Sequence, residues 1–405
     1  MFKLLSPPHS HFLNFVVLYV VVISVSAVTG GGVAKLFAYM IAFAMLFYML
    51  LYLSGMPDYN SNFPKSGITL PYFLYYYGLF GSLIFNIDHL DWANSLKFIM
   101  APLFLYIGLR VEQSRPFTRS SSSGVNIYFA ILILLPLLVL LYQIFKGYDV
   151  MARGADYSVF ANRNNAALYV LILIALYAVY SLKPITNLFV YIIAGAGFGT
   201  LGVLLSVIFS LVAIVANKKN FYRFVVFTIF STCVILVLSY YNIGIFARFR
   251  PVIGTIEIIL DPTVSIVSMS YERLYYALHT TDLSFAFRIK HWGEILDLYY
   301  NGSVFDKFWG FGVGSSIKLT EAHLVPHNDY LRYLFEMGFI TFLGYIMIIV
   351  RVVVLLGKSW ECVPFFAVAL YMFSENLVDN YLAMVVFYYS AGVLIRRKLT
   401  SDYSK

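Results

Sequence analysis

Charged residues are scarce in this sequence of 405 residues. Asp, Glu, Lys and Arg make up 12% of the chain, whereas hydrophobic residues make up 61%, aromatic residues 19%, and the mean hydropathy is +0.80. Soluble globular domains carry about 25% charged residues. The composition therefore excludes a soluble enzyme and predicts an all-α polytopic integral membrane protein, with residues 1–405 forming a single transmembrane domain.

The sequence is also poor in cysteine and in nucleotide-binding motifs. Cys233 and Cys362 both lie in apolar runs without a second ligand nearby, so we expect neither a disulfide nor a metal site at them. Gly310, Gly312 and Gly314 form a glycine triplet, but no Lys-Ser or Lys-Thr closes it as in a Walker loop, and nothing frames it as a dinucleotide fingerprint. We expect no cofactor, and we interpret the triplet as a close backbone turn that admits chain or ligand.

Long hydrophobic runs are abundant instead. A helix needs about 20 residues to cross the hydrocarbon core of a membrane. Twelve apolar windows predict about twelve transmembrane helices: 12–28, 33–53, 68–86, 93–109, 125–145, 165–181, 188–199, 200–216, 222–241, 338–356, 361–376 and 381–395. The stretch 188–216 fits either one long tilted helix or two short helices that turn at glycines.

The distribution of basic residues favours two short helices there. The formal net charge of +8 is spread over small clusters between the apolar runs, as expected for cytoplasmic helix ends rather than for nucleic-acid binding. One long helix would place either Lys183 or the cluster at Lys218 on the wrong side. Both termini are therefore predicted in the cytoplasm. The first window resembles a signal peptide, but a second window follows closely, so we expect a retained helix.

Two segments are then predicted to face outwards, a short one at 146–164 and a large one at 242–326, between spans nine and ten. Apolar residues recur at helical spacing in the large segment, for example Tyr271, Leu274 and Leu278, which predicts amphipathic helices lying over the membrane surface. Most of its cations are interpreted as ordinary surface charge, because acidic residues balance them. Arginine beside a membrane also suits an anionic lipid head group, since guanidinium binds phosphate oxygens bidentately.

The most informative stretch is Pro-His-Asn-Asp-Tyr-Leu-Arg at 326–332. If one helix ran from about His327 into the tenth span, His327 and Gly338 would share a face, with Thr341 near it, and a neighbouring helix would pack closely there. A helix N-terminal polar residue without chemistry is the alternative interpretation of His327. Asp329 and Arg332 stand three residues apart, which predicts a local ion pair.

Together these residues resemble a bacterial superfamily of membrane glycosyltransferases, the O-antigen ligases and O-antigen polysaccharide polymerases, which act on lipid-linked glycans at the periplasmic face. The resemblance is strongest from about Arg288 to Thr341. It rests on three features: Arg288 with Trp292, the glycine turn, and a His-Asn pair followed at fixed spacing by Gly and Thr, here His327, Asn328, Gly338 and Thr341.

Two other regions match less closely. Family members often carry Asn-Pro-Asn before the sixth span, where this chain has Asn162-Arg163-Asn164. Many members also have a Ser-Arg pair between the seventh and eighth spans, where this chain has Gly199-Thr200. The second phosphate-binding arginine of the family is therefore missing at its usual place, and we take Arg163 as its substitute.

The resemblance implies en bloc transfer of a glycan from undecaprenyl diphosphate to an acceptor hydroxyl, with inversion, in the bacterial inner membrane and without a metal ion. Fixed cations would stabilise the departing diphosphate, and we assign Arg288 first and Arg163 second. His327 is the expected general base, and Asn328 orients the imidazole or a sugar hydroxyl. Substrate contacts are further expected from the residues of the turn and from aromatic rings that stack on sugars: Gly312, Gly314, Trp292 and Trp309.

Several alternatives remain open at this stage. A polymerase would extend another lipid-linked glycan and is slightly favoured, whereas a ligase would join the glycan to lipid A-core; membrane lipids are expected partners and nucleic acid is not. A secondary transporter also suits twelve spans, but no repeat of the two halves is apparent and few charges lie within the spans, Lys97 being the clearest. A non-catalytic, flippase-like subunit would not need the His-Asn pair.

Overall fold

The computed structural model describes residues 7–29, 32–54, 67–89, 91–114, 123–148, 158–160, 163–180, 249–260, 265–278, 284–357 and 360–403. This part of the chain is 84% helical and has no strand. The helices are α1 (Pro7–Thr29), α2 (Gly32–Ser54), α3 (Thr69–Phe85), α4 (Trp92–Ser114), α5 (Ser123–Phe145), α6 (Arg163–Tyr180), α7 (Phe249–Leu260), α8 (Tyr271–Leu278), α9 (Ser284–Asn301), α10 (Val304–Trp309), α11 (Ser315–Leu319), α12 (Asp329–Leu356), α13 (Val363–Tyr371) and α14 (Tyr381–Tyr403).

The chain is an α-helical membrane protein, as its composition predicts. Four of the described helices are long and apolar enough to cross a bilayer, at His9–Thr29, Trp92–Glu112, Ile127–Phe145 and Asp329–Leu356. Helices occupy nine of the twelve predicted windows, and the other three, between 188 and 241, lie outside the described residues. The count of twelve spans stays a prediction.

The window 361–376 differs from the prediction, because only the nine residues of α13 are α-helical there. Such a helix is about 14 Å long, half the thickness of the hydrocarbon core. The chain then turns from Met372 to Asn380 before α14 begins. This α13–α14 turn is bound by polar groups of α12, as described below, and it carries two acidic residues, Glu375 and Asp379.

Close helix packing at glycine holds the centre of the bundle together. Gly78 and Gly344 bring α3 against α12, and Gly108 and Gly392 bring α4 against α14. At all four glycines an added Cβ would lie only 2.3 to 2.5 Å from a backbone atom of the partner helix. Such small-residue contacts are typical of membrane helices. Gly78 lies directly against Thr341, so the close packing predicted at Thr341 is present.

Buried polar side chains mark the two ends of this bundle. At one end His9 Nε2 lies 3.2 Å from Glu112 Oε2, Arg397 Nε donates to Glu112 Oε1 at 2.8 Å, and Arg397 Nη1 donates to the Val179 carbonyl at 2.5 Å. At the other end of α6, Asn164 bonds to the α13–α14 turn. The 18 residues of α6 span about 27 Å, close to the thickness of a bilayer core.

The described part of the predicted outer segment 242–326 contains five helices, α7 to α11, of 5 to 18 residues. Leu274 of α8, one of the residues that predicted a helix here, is fully buried. On α9, Ile295 packs against Leu331 and Phe335 of α12, with Trp292 beside them. This contact fixes α9 over the start of α12 and brings Arg288 and His327 onto the same side of the molecule.

The prediction of one continuous helix from His327 is wrong. The helix begins at Asp329, and His327 precedes it with a left-handed φ of 50°. The helix is also interrupted at Gly338, which has φ 80° and ψ 171°. His327 and Gly338 therefore do not share a helix face, because the helical phase is broken between them.

The glycine turn, residues 310–314, packs into this interruption. Its three glycines all have positive φ, between 80° and 94°. Two backbone amides of the turn donate to the carbonyl oxygens of Phe335 and Glu336, each at 3.0 Å. A regular helix would pair these two carbonyls with the amides of Phe339 and Ile340, and Gly338 interrupts that pattern, so the turn supplies amide donors at the interruption. The close backbone approach predicted for the triplet joins two segments of the chain itself.

Substituting alanine for Gly338 is expected to destabilise the fold by about 3 to 5 kcal/mol, because left-handed strain and overpacking act together. The added Cβ would lie 2.2 Å from the Phe308 carbonyl oxygen and 2.5 Å from the Gly310 amide nitrogen. Gly147→Ala is the matched control, since Gly147 has φ 77° with no other atom within 4 Å of an added Cβ. Thermal unfolding of both purified variants in detergent measures the difference, and equal losses would contradict the packing described here.

Candidate active site

Four side chains from distant parts of the sequence form one cluster, in which Glu375 contacts the other three. Its Oε1 accepts hydrogen bonds from Arg288 Nη2 at 2.7 Å and from Asn164 Nδ2 at 2.5 Å, and its Oε2 lies 3.3 Å from His327 Nδ1. The four come from α9, the start of α6, the residue two positions before α12, and the α13–α14 turn. Arg288 and His327, the two residues predicted to carry the chemistry, are thus brought to one carboxylate.

The arginine and the histidine lie at the open side of this cluster. The Arg288 side chain is 23% exposed and that of His327 is 34% exposed, whereas Glu375 is 9% exposed. Within the described part of the chain, Nη1 and Nε of Arg288 and Nε2 of His327 have no hydrogen-bond partner. Among the described residues, a guanidinium edge and an imidazole nitrogen are therefore left open to a bound molecule.

The turn that carries Glu375 is held by the two charged residues of α12 that were predicted to pair with each other. Asp329 Oδ2 accepts hydrogen bonds from the amides of Leu377 and Val378, at 2.8 and 3.2 Å, and Arg332 Nη1 donates to Asp379 Oδ1 at 2.8 Å. The predicted Asp329–Arg332 ion pair is therefore wrong. Each of the two side chains bonds to the α13–α14 turn instead, and these bonds hold the turn against α12.

Arg332 is deeply buried and bridges two carboxylates. Its side chain is 1% exposed, and its Nε donates to Glu336 Oε2 at 3.2 Å, on the next helical turn. Ser316 of α11 donates to the other oxygen of Glu336 at 2.5 Å. This network connects α11, which follows the glycine turn, through α12 to the α13–α14 turn, which carries Glu375.

Lys97, the clearest charge within a predicted span, lies near the start of α4 at this end of the bundle. Its ammonium donates to Asn94 Oδ1 at 2.9 Å, and Asn94 Nδ2 donates to Asp91 Oδ2 at 2.8 Å. An added Cβ at Gly314 would lie 3.5 Å from Asp91. Lys97 therefore belongs to a polar group near one end of α4 and not to its middle, whereas a transporter site is expected near the midplane of the membrane.

Asn328 caps helix α12. Its side-chain oxygen accepts a hydrogen bond from the amide of Leu331 at 3.0 Å, and its backbone is extended. The imidazole of His327 contacts Glu375. The other role predicted for Asn328, orientation of a sugar hydroxyl, stays a prediction.

The cap gives a test that separates local structure from chemistry. Asn328→Ala is expected to cost about 1 kcal/mol of stability, whereas Asn328→Asp preserves the cap because aspartate is an equally good N-cap residue. Thermal unfolding and transfer activity of the two variants check this. An Asn328→Asp variant with wild-type stability but no activity would show that the amide contacts substrate.

Trp292 supports the backbone that presents His327. Its Nε1 donates to the Pro326 carbonyl at 2.5 Å. Trp309 instead packs on α3, where its ring centroid lies 5.1 Å from Phe85 and 5.5 Å from Tyr77. Stacking of sugar rings on either tryptophan stays a prediction.

Three further residues were predicted to contact substrate: Gly312, Gly314 and Arg163. In the glycine turn, the backbone amide of Gly312 donates a hydrogen bond to the Glu336 carbonyl of α12, and Gly314 is the N-cap residue of α11. Arg163 is the first residue of α6, next to Asn164, and its side chain is outside the described part. Their contacts with substrate stay predictions.

His291 is no alternative base, although it lies one turn from Arg288 on α9. It is fully buried, and its Nε2 lies 3.0 Å from the Leu324 carbonyl oxygen. Burial lowers the pKa of His291 below its ordinary value, which keeps the ring neutral at pH 7. The neighbouring Lys290 ammonium is held by Glu294 and Glu321 at 2.6 and 2.8 Å. Burial alone would lower the pKa of Lys290, but the hydrogen bonds that its ammonium donates to these carboxylates outweigh burial and raise that pKa.

Two residues of the cluster, Glu375 and Asn164, were not predicted from the sequence as site residues. Glu375 lies inside the apolar window 361–376, and an acidic residue in such a window is costly unless it has a partner, which was the available signal. Asn164 belongs to the weakly matching Asn162-Arg163-Asn164 segment, in which Arg163 was predicted to bind phosphate and no role was predicted for Asn164. The structure brings the asparagine to Glu375.

Comparison with known proteins gave no match, either to a family model or to a curated sequence. Within the described ranges, no three His, Cys, Asp or Glu residues are grouped as ligands for a metal ion. The case for a function therefore rests on the residues of the cluster and on their geometry.

Proposed function

We propose that this protein is a membrane glycosyltransferase that moves a glycan en bloc from a prenyl diphosphate, undecaprenyl diphosphate by resemblance, to an acceptor hydroxyl. The observation that carries the proposal is the meeting of Arg288 and His327 at Glu375. These residues were selected from separate sequence motifs as the phosphate-binding cation and the base, and their side chains contact the same carboxylate.

The chemistry of the leaving group supports this function. Negative charge builds on the diphosphate as the glycosidic bond breaks, so a fixed cation aimed at it stabilises the transition state more than the ground state. Arg288 keeps one guanidinium edge open while Glu375 holds the other. Guanidinium recognises phosphate oxygens bidentately, which suits this edge.

The acceptor requires a base, and His327 supports that part. The acceptor oxygen attacks the anomeric carbon opposite the diphosphate, which inverts that centre, and its proton passes to the imidazole. A positioned imidazole is a suitable base near pH 7. His327 is the more exposed of the two predicted catalytic side chains, and its Nε2 is open to a substrate.

The orientation of the protein follows from its charge. The end of the bundle that holds His9 and Arg397 contains parts of both terminal helices, and basic clusters favour the cytoplasm. We therefore propose cytoplasmic termini, twelve spans in the inner membrane, and a cluster around Glu375 that faces the periplasm. The segment 242–326 then lies over the periplasmic surface of the inner membrane, where lipid-linked donors present their head groups.

Within this function a polymerase is slightly favoured over a ligase, on the resemblance of the stretch 326–332. Surface polysaccharide profiles of a deletion strain, complemented with wild type at matched membrane levels, test both. Single repeat units on lipid A-core would identify a polymerase. Bare core with accumulated polymeric lipid-linked glycan would identify a ligase. An unchanged profile, in a strain without a second gene for the function, would contradict the glycosyltransferase proposal.

A further inference from the structure

The two oxygens of Glu375 hold different parts of the site. Oε1 receives the guanidinium of Arg288 and the amide of Asn164, and Oε2 faces the Nδ1 of His327. These three groups already occupy the carboxylate, and the Glu375 side chain is only 9% exposed. The carboxylate is therefore not available to an acceptor hydroxyl. Glu375 is therefore poorly placed to act as the base itself.

The contact with Glu375 decides which nitrogen of His327 can react. An ionised carboxylate only accepts hydrogen bonds, so the imidazole nitrogen that faces it, Nδ1, carries the proton in the neutral ring. The lone pair is then on Nε2, the nitrogen without a partner among the described residues. A carboxylate that orients a histidine in this way fixes both its tautomer and its rotation.

The same carboxylate also fixes the distance between the two halves of the reaction. The contacts of 2.7 Å to Arg288 Nη2 and 3.3 Å to His327 Nδ1 keep these two nitrogens no more than about 8 Å apart across one carboxyl group. The reactive Nε2 lies across the imidazole ring from Nδ1, so one carboxylate holds the guanidinium and the ring beside each other. An in-line displacement needs its leaving group and its base on opposite sides of one anomeric carbon, and two groups held in this way can take those two places.

We propose that Glu375 is a positioning residue that holds Arg288 at the diphosphate and His327 at the acceptor in a single arrangement. This inference rests on the proposed function. In the step, the acceptor oxygen forms the new bond to the anomeric carbon and gives its proton to His327 Nε2. The bond from that carbon to the diphosphate oxygen breaks, and the diphosphate leaves with the electron pair beside Arg288. The imidazolium that results is stabilised by Glu375, and both proton and charge are balanced.

The test compares Glu375→Gln, Glu375→Asp and Glu375→Ala with Glu272→Gln, an exposed control on α8. Glutamine keeps the size of the side chain but removes its charge, so Glu375→Gln is expected to lower kcat about 100-fold, as for other residues that orient a catalytic group. Aspartate is expected to restore part of this loss, and the control is expected to behave as wild type. A kcat of Glu375→Gln within twofold of wild type would overturn the proposal.

A second readout does not depend on substrate. Nitrogen-15 spectra of histidine-labelled protein in detergent report the tautomer of His327, assigned by comparison with His327→Gln. We expect the Nδ1-protonated ring in wild type and loss of this preference in Glu375→Ala; an Nε2-protonated ring in wild type would overturn the proposal. Transfer by wild type with an unaffected Glu375→Gln would leave the proposed function standing without the positioning role. If the protein shows the expected tautomer but transfers no glycan, the proposed function is overturned, and with it the role of Glu375 in positioning Arg288 and His327 for that reaction.

Discussion

His327→Ala is expected to lower glycan transfer by about 10²- to 10⁴-fold at an unchanged level of protein in the membrane. The imidazole is the one group of the cluster with an open acceptor nitrogen, and its other nitrogen is held by Glu375 at 3.3 Å. Without the ring, no described side chain at the open side of the cluster is left to accept the proton of the acceptor hydroxyl. The measurement is the initial rate of transfer by membranes that contain equal amounts of each variant.

His323→Ala is the control for this substitution. His323 lies four residues earlier, has the same left-handed φ of 50°, and places its Nδ1 3.0 Å from the Ile317 carbonyl oxygen, away from the Glu375 cluster. Both substitutions place alanine at the same left-handed φ, so the cost of that φ is matched. Equal activities of the two variants would contradict the assignment of His327 as the base.

Arg288→Ala is expected to lower transfer by about 10²- to 10³-fold, the usual effect of removing a group that stabilises developing negative charge. The loss should appear mainly in kcat, because the charge on the diphosphate grows as the glycosidic bond breaks. Arg288→Lys is expected to recover only a small part of the lost activity. A planar guanidinium can bind Glu375 along one edge and a phosphate along another, whereas an ammonium has no such edges.

Arg273→Ala on α8 controls for the general loss of positive charge in the outer segment, because Arg273 is exposed. Rates over a range of donor concentrations separate kcat from KM for each variant. An Arg288→Ala enzyme that differed from wild type only in the KM for the acceptor would place Arg288 at the acceptor side and contradict its role at the diphosphate.

The helical architecture could be predicted from the sequence because hydrophobic runs act locally. Each window outside 181–248 contains a helix, and apolar spacing around Leu274 correctly indicated a helix in the outer segment. Arg288 and His327 could be selected because each stands within a recognisable short motif. Their proximity could not be predicted, since 39 positions separate them and a carboxylate from a third region brings them together.

The errors share a physical cause, namely that helix-based reasoning assumed a regular helix where the chain is irregular. His327 has a left-handed backbone, Gly338 breaks α12, and the region after Tyr371 turns instead of completing a span. At each place a polar group finds a tertiary partner: Glu375 for His327, the glycine turn for the carbonyls near Gly338, and Asp329 for the amides of the α13–α14 turn. Helical periodicity has no information about such partners.

The most direct measurement uses purified protein reconstituted in liposomes with an undecaprenyl diphosphate-linked repeat unit and an acceptor glycan. We expect wild-type protein to release undecaprenyl diphosphate and to form an equal amount of elongated glycan with inverted anomeric configuration, and His327→Ala to form neither. Absence of both products with wild-type protein, or equal product formation by wild type and His327→Ala, would contradict glycan transfer at the Glu375 cluster.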